Sequence, residues 1–243
     1  MQNDTKQKFE GGLDVHIGLI GGIGPAATDL YYRGLVDTMK ARKAKFDLTI
    51  VHADAPTLVQ NIEARRPEAQ ADIFLGLTER LATAGADFVA ITSIGGHFCI
   101  EQFRPRSALP VVSFIEEINT HLAMQGYNCV GLLGTDTVMK TRLYGGVTGA
   151  DILIPPSEAI DEVHRAYVNM AIEARVTDTQ RKIFNEAGRK LAARGAETIL
   201  LGGTDLFLAF HGQAPGFETL DCADVHIEAI ARVASSADQF ASL

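Results

Sequence analysis

Three glycine-rich turns hold the residues of this chain that are best suited to chemistry on a small acid. They read Gly21-Gly22-Ile23-Gly24-Pro25, Ser93-Ile94-Gly95-Gly96-His97 and Gly202-Gly203-Thr204-Asp205. Glycines allow a backbone to approach a ligand closely, and the start of a helix offers free N–H groups to an anion. His97 and Asp205 could move protons, while Ser93 and Thr204 could donate hydroxyl hydrogen bonds. The turns therefore predict a site for a carboxylate.

The first turn differs from a dinucleotide-binding fingerprint. That fingerprint requires the spacing G-x-G-x-x-G and an acidic residue after the next strand. Here the glycine spacing is different, and Pro25 removes one N–H donor. A carboxylate held by the backbone of Gly22, Ile23 and Gly24 fits this turn better than a nicotinamide cofactor does. A tight turn without any ligand is the alternative.

Each candidate proton carrier also has a structural interpretation. His97 could act as an acid or base, or it could be a hydrogen-bond partner at the start of a helix. Asp205 could act on a ligand or cap the helix that follows it. Asp221 and His226 lie in a C-terminal segment that we expect to pack against the first half of the chain. There, either could reach the ligand or belong to a capped helix. Cys99 is expected to be a small buried hydrophobic residue.

An internal repeat should bring two of these turns together. Each copy opens with an apolar run that ends in a glycine turn, which contains Thr135 in the second copy. Each copy closes with a Gly-Ala-acid triplet and another apolar run. Ser93 lies eight residues after the glycine of the first triplet, and Gly203 lies eight residues after that of the second. Because a duplicated fold can place equivalent positions on opposite sides of a cleft, we expect Ser93 and Gly203 to face each other.

Short apolar runs alternate along the chain with amphipathic stretches of helical length. The runs predict strands at Val15–Ile20, Leu48–His52, Phe88–Thr92, Val111–Ser113, Cys129–Leu133, Asp151–Ile154 and Thr198–Leu201. The amphipathic stretches predict helices at Ala26–Ala41, Pro67–Ala84, Ile115–Met124, Ser157–Val176, Thr179–Arg194 and Asp224–Ala241. Continuous apolar strands that alternate with helices are typical of parallel sheets covered on both faces. We predict an α/β protein of two pseudo-symmetric, doubly wound parallel-sheet lobes with the active cleft between them.

The repeat also predicts where the lobes begin and end. We assign residues 15–115 and 216–243 to an N-terminal lobe, residues 116–215 to a C-terminal lobe and residues 1–14 to a flexible leader. Ligands of such sheets bind beyond the carboxyl ends of the strands, which is where the glycine turns lie.

The composition narrows the range of partners and compartments. The 243 residues are 47% hydrophobic and 21% charged, as in ordinary globular proteins. The net charge of −8 argues against a nucleic-acid partner, and no apolar run approaches the ~20 residues that span a bilayer. Three scattered cysteines form neither a disulfide framework nor a zinc site. A cytoplasmic location without a bound metal is expected.

Two motifs resemble those of the aspartate/glutamate racemase superfamily. Residues 17–28 read Ile-Gly-Leu-Ile-Gly-Gly-Ile-Gly-Pro-Ala-Ala-Thr and resemble its glycine-rich opening. Asp221 and His226 match its C-terminal D-T-x-x-x-H pattern, except that Cys222 replaces the threonine. The resemblance covers nearly the whole chain from Val15. It implies a cofactor-independent enzyme that acts on a small carboxylic or amino acid, and a homodimer.

The resemblance further implies a mechanism that the residues of this chain do not support. Superfamily enzymes use two thiols on opposite faces of the α-carbon, one in a C-N-T-x-H turn and one in a G-C-T-E turn. Ser93 and Gly203 stand at those two positions here. His97 and Thr204 are retained, and Asp205 replaces the glutamate. A serine ionises far less readily than a cysteine, whose reference pKa is about 8.5, and glycine has no side chain. The chain therefore resembles a divergent member without both catalytic cysteines.

The basic substrate contacts of the superfamily are only partly retained. Glu162 stands where aspartate-handling members have a lysine in the second half, and it would repel a distal carboxylate. Arg65 or Arg66 keeps the other basic contact by the same resemblance.

The sequence is compatible with two functions. One is an amino-acid racemase or isomerase acting beside a carboxylate, with Ser93, His97 and Asp205 as catalytic candidates; a one-base decarboxylase or lyase is a variant of it. The other is a non-catalytic protein that binds small carboxylates. Ligand contacts are expected at Gly22, Ile23, Gly24, Arg65, Gly95, Gly96, Thr135, Gly202, Gly203, Thr204 and His226.

Overall fold

Two parallel β-sheets organise the chain in the computed structural model, which describes residues 15–236. The first sheet consists of β1 (Val15–Gly21), β2 (Phe46–His52) and β3 (Phe88–Ile91), in the order β2-β1-β3. The second consists of β4 (Cys129–Leu133), β5 (Asp151–Leu153), β6 (Thr198–Leu201) and β7 (Thr219–Asp221), in the order β5-β4-β6-β7. Every strand pair is parallel. The predicted α/β fold with two parallel-sheet lobes is confirmed.

The two sheets repeat the same local arrangement. β1 lies between β2 and β3, and β4 lies in the same way between β5 and β6. Ile20 is the partner of Ile91 in the first lobe, as Leu133 is the partner of Leu201 in the second. The glycine turns after these strands therefore occupy equivalent places at the carboxyl edges of the two sheets.

Helices connect the strands and cover the sheets. They are α1 (Pro25–Ala41), α2 (Ala55–Glu63), α3 (Pro67–Thr83), α4 (Ile100–Phe103), α5 (Phe114–Gln125), α6 (Asp136–Lys140), α7 (Ser157–Glu173), α8 (Asp178–Ala193), α9 (Phe207–Phe210) and α10 (Cys222–Ser235). Local sequence sets several of their ends. Asp54 caps α2, and Thr177 with Gln180 forms a capping box at the start of α8. Ala174 ends α7 with a left-handed φ of 49°.

One predicted strand is absent from the structure, and several observed elements were not predicted. Val111 makes only an isolated parallel bridge with Val89 instead of a strand through Ser113. Pro110 has no N–H for a ladder, and Ser113 leaves the strand to cap α5. The short helices α2, α4, α6 and α9 were not predicted, and neither was β7, whose three residues include two polar ones.

The C-terminal segment is divided between the two lobes. β7 pairs with β6 in the second sheet, so residues 219–221 lie apart from the lobe to which they were assigned. The following helix α10 packs against α1 and α5, with Ile227 directly over Gly34. The return of the chain towards the first sheet thus begins at α10. The predicted leader 1–14 and the predicted end of the last helix beyond residue 236 lie outside the described residues.

One continuous hydrophobic cluster runs through both lobes. It includes Leu19 and Tyr31 of the first lobe, Leu132 and Leu200 of the second, and Ile230 of α10. A smaller cluster beneath α2 and α3 belongs to the first lobe alone. Across residues 15–236, no helix has both the length and the apolarity that a membrane crossing requires.

Candidate functional site

The first glycine turn is built so that only glycine fits at its start. Gly22 has a φ of +92°, and a Cβ there would lie 2.2 Å from His52 Nδ1. Its amide donates to Thr28 Oγ1 at 2.9 Å, and the Thr28 hydroxyl donates to the Gly24 carbonyl at 3.0 Å. Ile23 packs against the smaller cluster of the first lobe. The turn is therefore rigid, and α1 begins at Pro25 without any side-chain cap.

Asp205 of the second lobe lies against this turn of the first lobe. It is 3% exposed, and a Cβ built on Gly24 would lie 3.1 Å from its Oδ2 and 3.3 Å from its Oδ1. Tyr167 donates its hydroxyl to Asp205 Oδ2 at 3.1 Å. Within residues 15–236, Asp205 Oδ1 has no hydrogen-bond partner. The site thus contains a buried carboxylate with one unused oxygen between the two lobes.

Burial shifts the pKa of the Asp205 carboxyl upward. Desolvation raises the pKa of its carboxyl, while the Tyr167 hydroxyl and the backbone amide of Ala27 lower it. The net shift is upward, in the direction that a carboxylate needs in order to act as a proton carrier nearer neutral pH. Desolvation raises the pKa of Tyr167 well above its usual value. Tyr167 therefore remains a neutral hydrogen-bond donor.

Tyr167 also fills the space beside Gly203. It lies on α7, is 8% exposed, and its Cε2 would be only 2.3 Å from a Cβ at Gly203. Thr204 is buried next to the same phenol. Gly202 is fixed at the sheet edge, since its amide donates to the Leu133 carbonyl at 2.8 Å. The Tyr167 ring thus occupies the space that a side chain at position 203 would need.

The second glycine turn presents the Ser93 hydroxyl. Ser93 is 7% exposed, and a Cβ at Gly95 would lie 3.4 Å from its Oγ. Gly96 must remain small because a Cβ there would lie 2.8 Å from Ile91 Cγ2. No side-chain hydrogen bond engages Ser93 Oγ in the described part of the chain. The hydroxyl is therefore available to a ligand.

Tyr144 of the second lobe contacts this same turn. Its hydroxyl donates to the Gly95 carbonyl at 3.5 Å, and burial raises its pKa. Arg142, Leu143 and Tyr144 have consecutive left-handed φ values of 52°, 57° and 59°. Such backbone is strained for residues other than glycine and is maintained only where surrounding contacts enforce it. It fixes Tyr144 across the junction of the lobes.

Both predicted histidines have hydrogen-bond partners on both ring nitrogens. His97 Nδ1 donates to the Ser93 carbonyl at 2.9 Å, and Nε2 accepts from the Phe114 amide at 3.3 Å. His226 is fully buried; its Nε2 donates to the Val112 carbonyl at 3.1 Å, and its Nδ1 accepts from the Tyr31 hydroxyl at 2.8 Å. With both ring nitrogens occupied, each histidine fits the structural interpretation, and His97 also holds the Ser93 turn.

Burial keeps these histidines neutral. Desolvation lowers the pKa of His97 to about 4 and that of His226 to about 3, where the neighbouring His97 contributes as well. At neutral pH neither ring carries a charge. Cys99 is likewise inert, because burial raises the pKa of its thiol to about 12.

Among the hydrogen bonds and ion pairs of residues 15–236, none joins the remaining predicted contacts Thr135, Arg65 and Glu162 to Asp205 or Ser93. Thr135 caps α6, with its Oγ1 accepting from the Val138 amide at 3.2 Å. Arg65 has a left-handed φ of 51° between α2 and α3, and nothing in residues 15–236 pairs with its guanidinium. Glu162 is exposed and lines a surface groove of about 680 Å³ between α7 and α8. No group of three or more possible metal-binding side chains occurs among residues 15–236.

Tyr167 and Tyr144 were not predicted as site residues, because both are far along the chain from the glycine turns that they contact. The structure explains why position 203 is a glycine. Gly203 has an ordinary φ of −136°, so the turn itself does not require glycine. A glycine that the backbone does not need indicates that another group fills its side-chain space.

Asp221, the other residue of the C-terminal motif, allows the effect of burial on a carboxyl pKa to be tested. It caps α10 by accepting from the Ala223 amide at 2.9 Å, and its pKa is raised to about 7 by desolvation and then by Asp224. Because the folded pKa exceeds the unfolded value of 3.8, ionisation penalises the folded state above pH 7, and the penalty disappears below about pH 4. We expect Asp221→Asn, which can still cap the helix, to raise the free energy of unfolding by about 2 kcal/mol at pH 8.

Urea denaturation at pH 8 and at pH 4 measures this change. Asp161→Asn, at an exposed position of α7, is the matched control. A gain that is equal at both pH values would contradict the assignment to ionisation.

Comparison with known proteins agrees with this architecture. A sequence model of the Asp/Glu/hydantoin racemase family matches residues 20–230. An Asp/Glu racemase candidate from Yersinia pestis superposes with a TM-score of 0.81 at 23% identity, covering 90% of this chain and 99% of that one. An aspartate racemase homologue from Pyrococcus horikoshii OT3 gives 0.76 at 24% identity, covering 92% and 100%.

A more distant structure contains a ligand. Glutamate racemase from Francisella tularensis in complex with D-glutamate superposes with a TM-score of 0.64 at 12% identity, covering 90% of this chain and 81% of that one. At these identities the structures establish the fold, and the match to the family sequence establishes the relationship. The chain belongs to the Asp/Glu/hydantoin racemase family.

Proposed function

We propose that this chain is a cofactor-independent isomerase that binds a small carboxylic or amino acid between its lobes and moves a proton at the carbon beside the carboxylate. Membership of the racemase family supports the class of reaction. The D-glutamate bound to the Francisella tularensis relative supports an amino acid as the class of ligand. Asp205 carries the proposal, because its buried carboxylate has a raised pKa and an unused oxygen between the lobes.

Asp205 is the proposed base. Its carboxylate takes the proton from the α-carbon, and the electron pair of that C–H bond moves into an enolate of the ligand carboxylate. The neutral Tyr167 phenol keeps Asp205 in position through its 3.1 Å hydrogen bond. The Ser93 hydroxyl and backbone N–H groups of the glycine turns can donate to the enolate oxygens. The proton then returns from Asp205, or a solvent proton replaces it.

The absence of two thiols limits the stereochemistry. A single base returns the proton to the face from which it came, so we expect exchange of the α-proton to be faster than inversion. His97 and His226 are positioning residues in this proposal, since they are neutral and fully hydrogen-bonded. A decarboxylase or lyase would use the same enolate with a different bond broken.

A non-catalytic carboxylate-binding protein is the second candidate. One observation favours it: the Tyr167 ring fills the space that a second reactive side chain at position 203 would occupy. Its expected signature is thermal stabilisation by small carboxylates without any turnover. The cytoplasmic location is supported by three cysteines that are all free, and the homodimer stays a prediction.

The decisive experiment follows proton exchange. The protein is incubated in deuterated water with D- and L-aspartate, D- and L-glutamate and other amino acids, and loss of the α-proton signal is measured by NMR. We expect Asp205→Asn to slow the exchange by about 10²- to 10⁴-fold, as for the loss of a general base. Asp161→Asn should leave the rate unchanged. An absence of exchange on every substrate, combined with thermal stabilisation, would favour the binding protein instead.

A further inference from the structure

We propose that Asp205 is a resident occupant of the carboxylate site at the start of α1, and that a carboxylate ligand must displace it. The inference rests on the proposed function for the class of ligand. It adds that the two events are coupled: binding of the ligand carboxylate at α1 also releases Asp205, the proposed base, from that site.

The start of α1 is a strong anion site that its own sequence leaves open. The helix has 17 residues, its N-cap Gly24 has no side chain, and its first turn contains no acidic residue. Pro25 has no N–H, which leaves the amides of Ala26 and Ala27 as the first donors. A negative charge is favourable at this end of a helix, where the peptide dipoles add.

Asp205 supplies that charge from the other lobe. Its oxygens lie 3.1 and 3.3 Å from the position of a Gly24 Cβ, too close for a ligand carboxylate to fit between them. The amide of Ala27 stabilises the ionised form of Asp205. The carboxylate of the chain therefore takes the place where the glycine turn would receive the carboxylate of a ligand.

The fit of Asp205 at this site is incomplete. Oδ2 is shared with Tyr167, and Oδ1 is buried without a hydrogen-bond partner in residues 15–236. A buried carboxylate oxygen without a donor is unfavourable, so this contact is weaker than the site allows. A ligand carboxylate that is free to orient both oxygens towards the amides would bind better. Asp205, still tethered through Tyr167, would then face the α-carbon of that ligand.

Binding affinity tests the displacement directly. D-glutamate and succinate are titrated by calorimetry into the wild type, Asp205→Asn, Asp205→Ala and the control Asp161→Asn. We expect both Asp205 variants to bind at least one of these probes about tenfold more tightly than the wild type, because no carboxylate competes with the ligand. The control should match the wild type. Equal or weaker binding to both variants would overturn the inference.

Hydrogen exchange of backbone amides gives a second readout that does not need a ligand. The contact between Asp205 and the Ala27 amide should protect that amide in the wild type, so Asp205→Ala should speed its exchange severalfold. Asp161→Asn should leave it unchanged. Unchanged protection in Asp205→Ala would overturn the inference even if neither probe bound.

The two proposals fail in different ways. Tighter binding by the Asp205 variants without turnover by the wild type would refute the isomerase and retain the displacement. Turnover that is lost in Asp205→Asn, without any gain in affinity, would retain the isomerase and refute the displacement.

Discussion

Gly203→Ala will destabilise the chain by about 3 kcal/mol, the upper end of the usual range for overpacking. The added methyl group would lie 2.3 Å from Tyr167 Cε2 and 2.7 Å from Cζ, so the ring must move. The backbone gives no relief and no additional penalty, since the φ of −136° is acceptable to any residue. Tyr167 cannot move freely because its hydroxyl is bound to Asp205.

A double-mutant cycle isolates this steric cause. In the Tyr167→Ala background the substitution Gly203→Ala should cost less than about 1 kcal/mol, because the ring is gone. Gly76→Ala is the matched control, since a Cβ there meets nothing within 4 Å. Free energies of unfolding from urea titration provide the measurement. An equal cost of Gly203→Ala in both backgrounds would show that Tyr167 is not the obstacle.

The same clash determines whether two-thiol chemistry could be introduced. Replacing Ser93 and Gly203 by cysteines would place the Cβ of the second cysteine 2.3 Å from Tyr167 Cε2. We therefore expect the double variant to be unstable and to lack racemisation unless Tyr167 is also made smaller. A side chain at position 203 is therefore compatible with this fold only if the residue at position 167 is smaller than tyrosine.

Acidification will destabilise the fold through its two buried histidines. Their folded pKa values of about 4 for His97 and about 3 for His226 lie below the reference of 6.5. The unfolded chain therefore binds more protons between pH 6.5 and pH 4. Their stabilising contribution is complete above pH 6.5 and is lost as the pH falls towards the folded pKa values. Each histidine contributes a slope of about 1.4 kcal/mol per pH unit.

His226→Gln separates this effect from that of the carboxyl groups. Asp221 and Asp205 have raised pKa values and oppose the trend, but they are present in both proteins. At pH 8 the variant should be less stable by about 3 kcal/mol, because two buried hydrogen bonds and ring packing are lost. The difference from the wild type should shrink by about 3 kcal/mol between pH 6.5 and pH 4.

Urea titrations at several pH values provide the test. His211→Gln, at an exposed position, should run parallel to the wild type over this range. If the His226→Gln curve were also parallel to that of the wild type, the stability loss in acid would have to come from other groups.

The parts of the molecule that were predicted correctly depend on local patterns. The β1 run from Val15, the glycine turn after it and the helix after Pro25 can be recognised from neighbouring residues alone. The internal repeat then predicts that the second half of the chain forms a second sheet of the same kind. β7 was not predicted, because a three-residue strand with polar residues at both ends shows no hydrophobic pattern. It forms by pairing with the free edge of β6.

The site depends instead on contacts between distant parts of the chain. The partners of His226 include Val112, 114 residues away, and Tyr31, 195 residues away. Asp205 reaches Gly24 across the lobes. Sequence could identify Asp205 and the histidines as polar residues near turns. It could not distinguish a free imidazole from one with both nitrogens bound, because that difference depends on tertiary neighbours.

The hydrophobic cluster that extends through both sheets restricts how a ligand can enter. Leu19, Leu132 and Ile230 belong to one uninterrupted apolar interior. Rotating the sheets apart as rigid halves would expose that interior to water at a high free-energy cost. Access to Asp205 must therefore come from small displacements of the surface turns, while the body of the molecule stays closed.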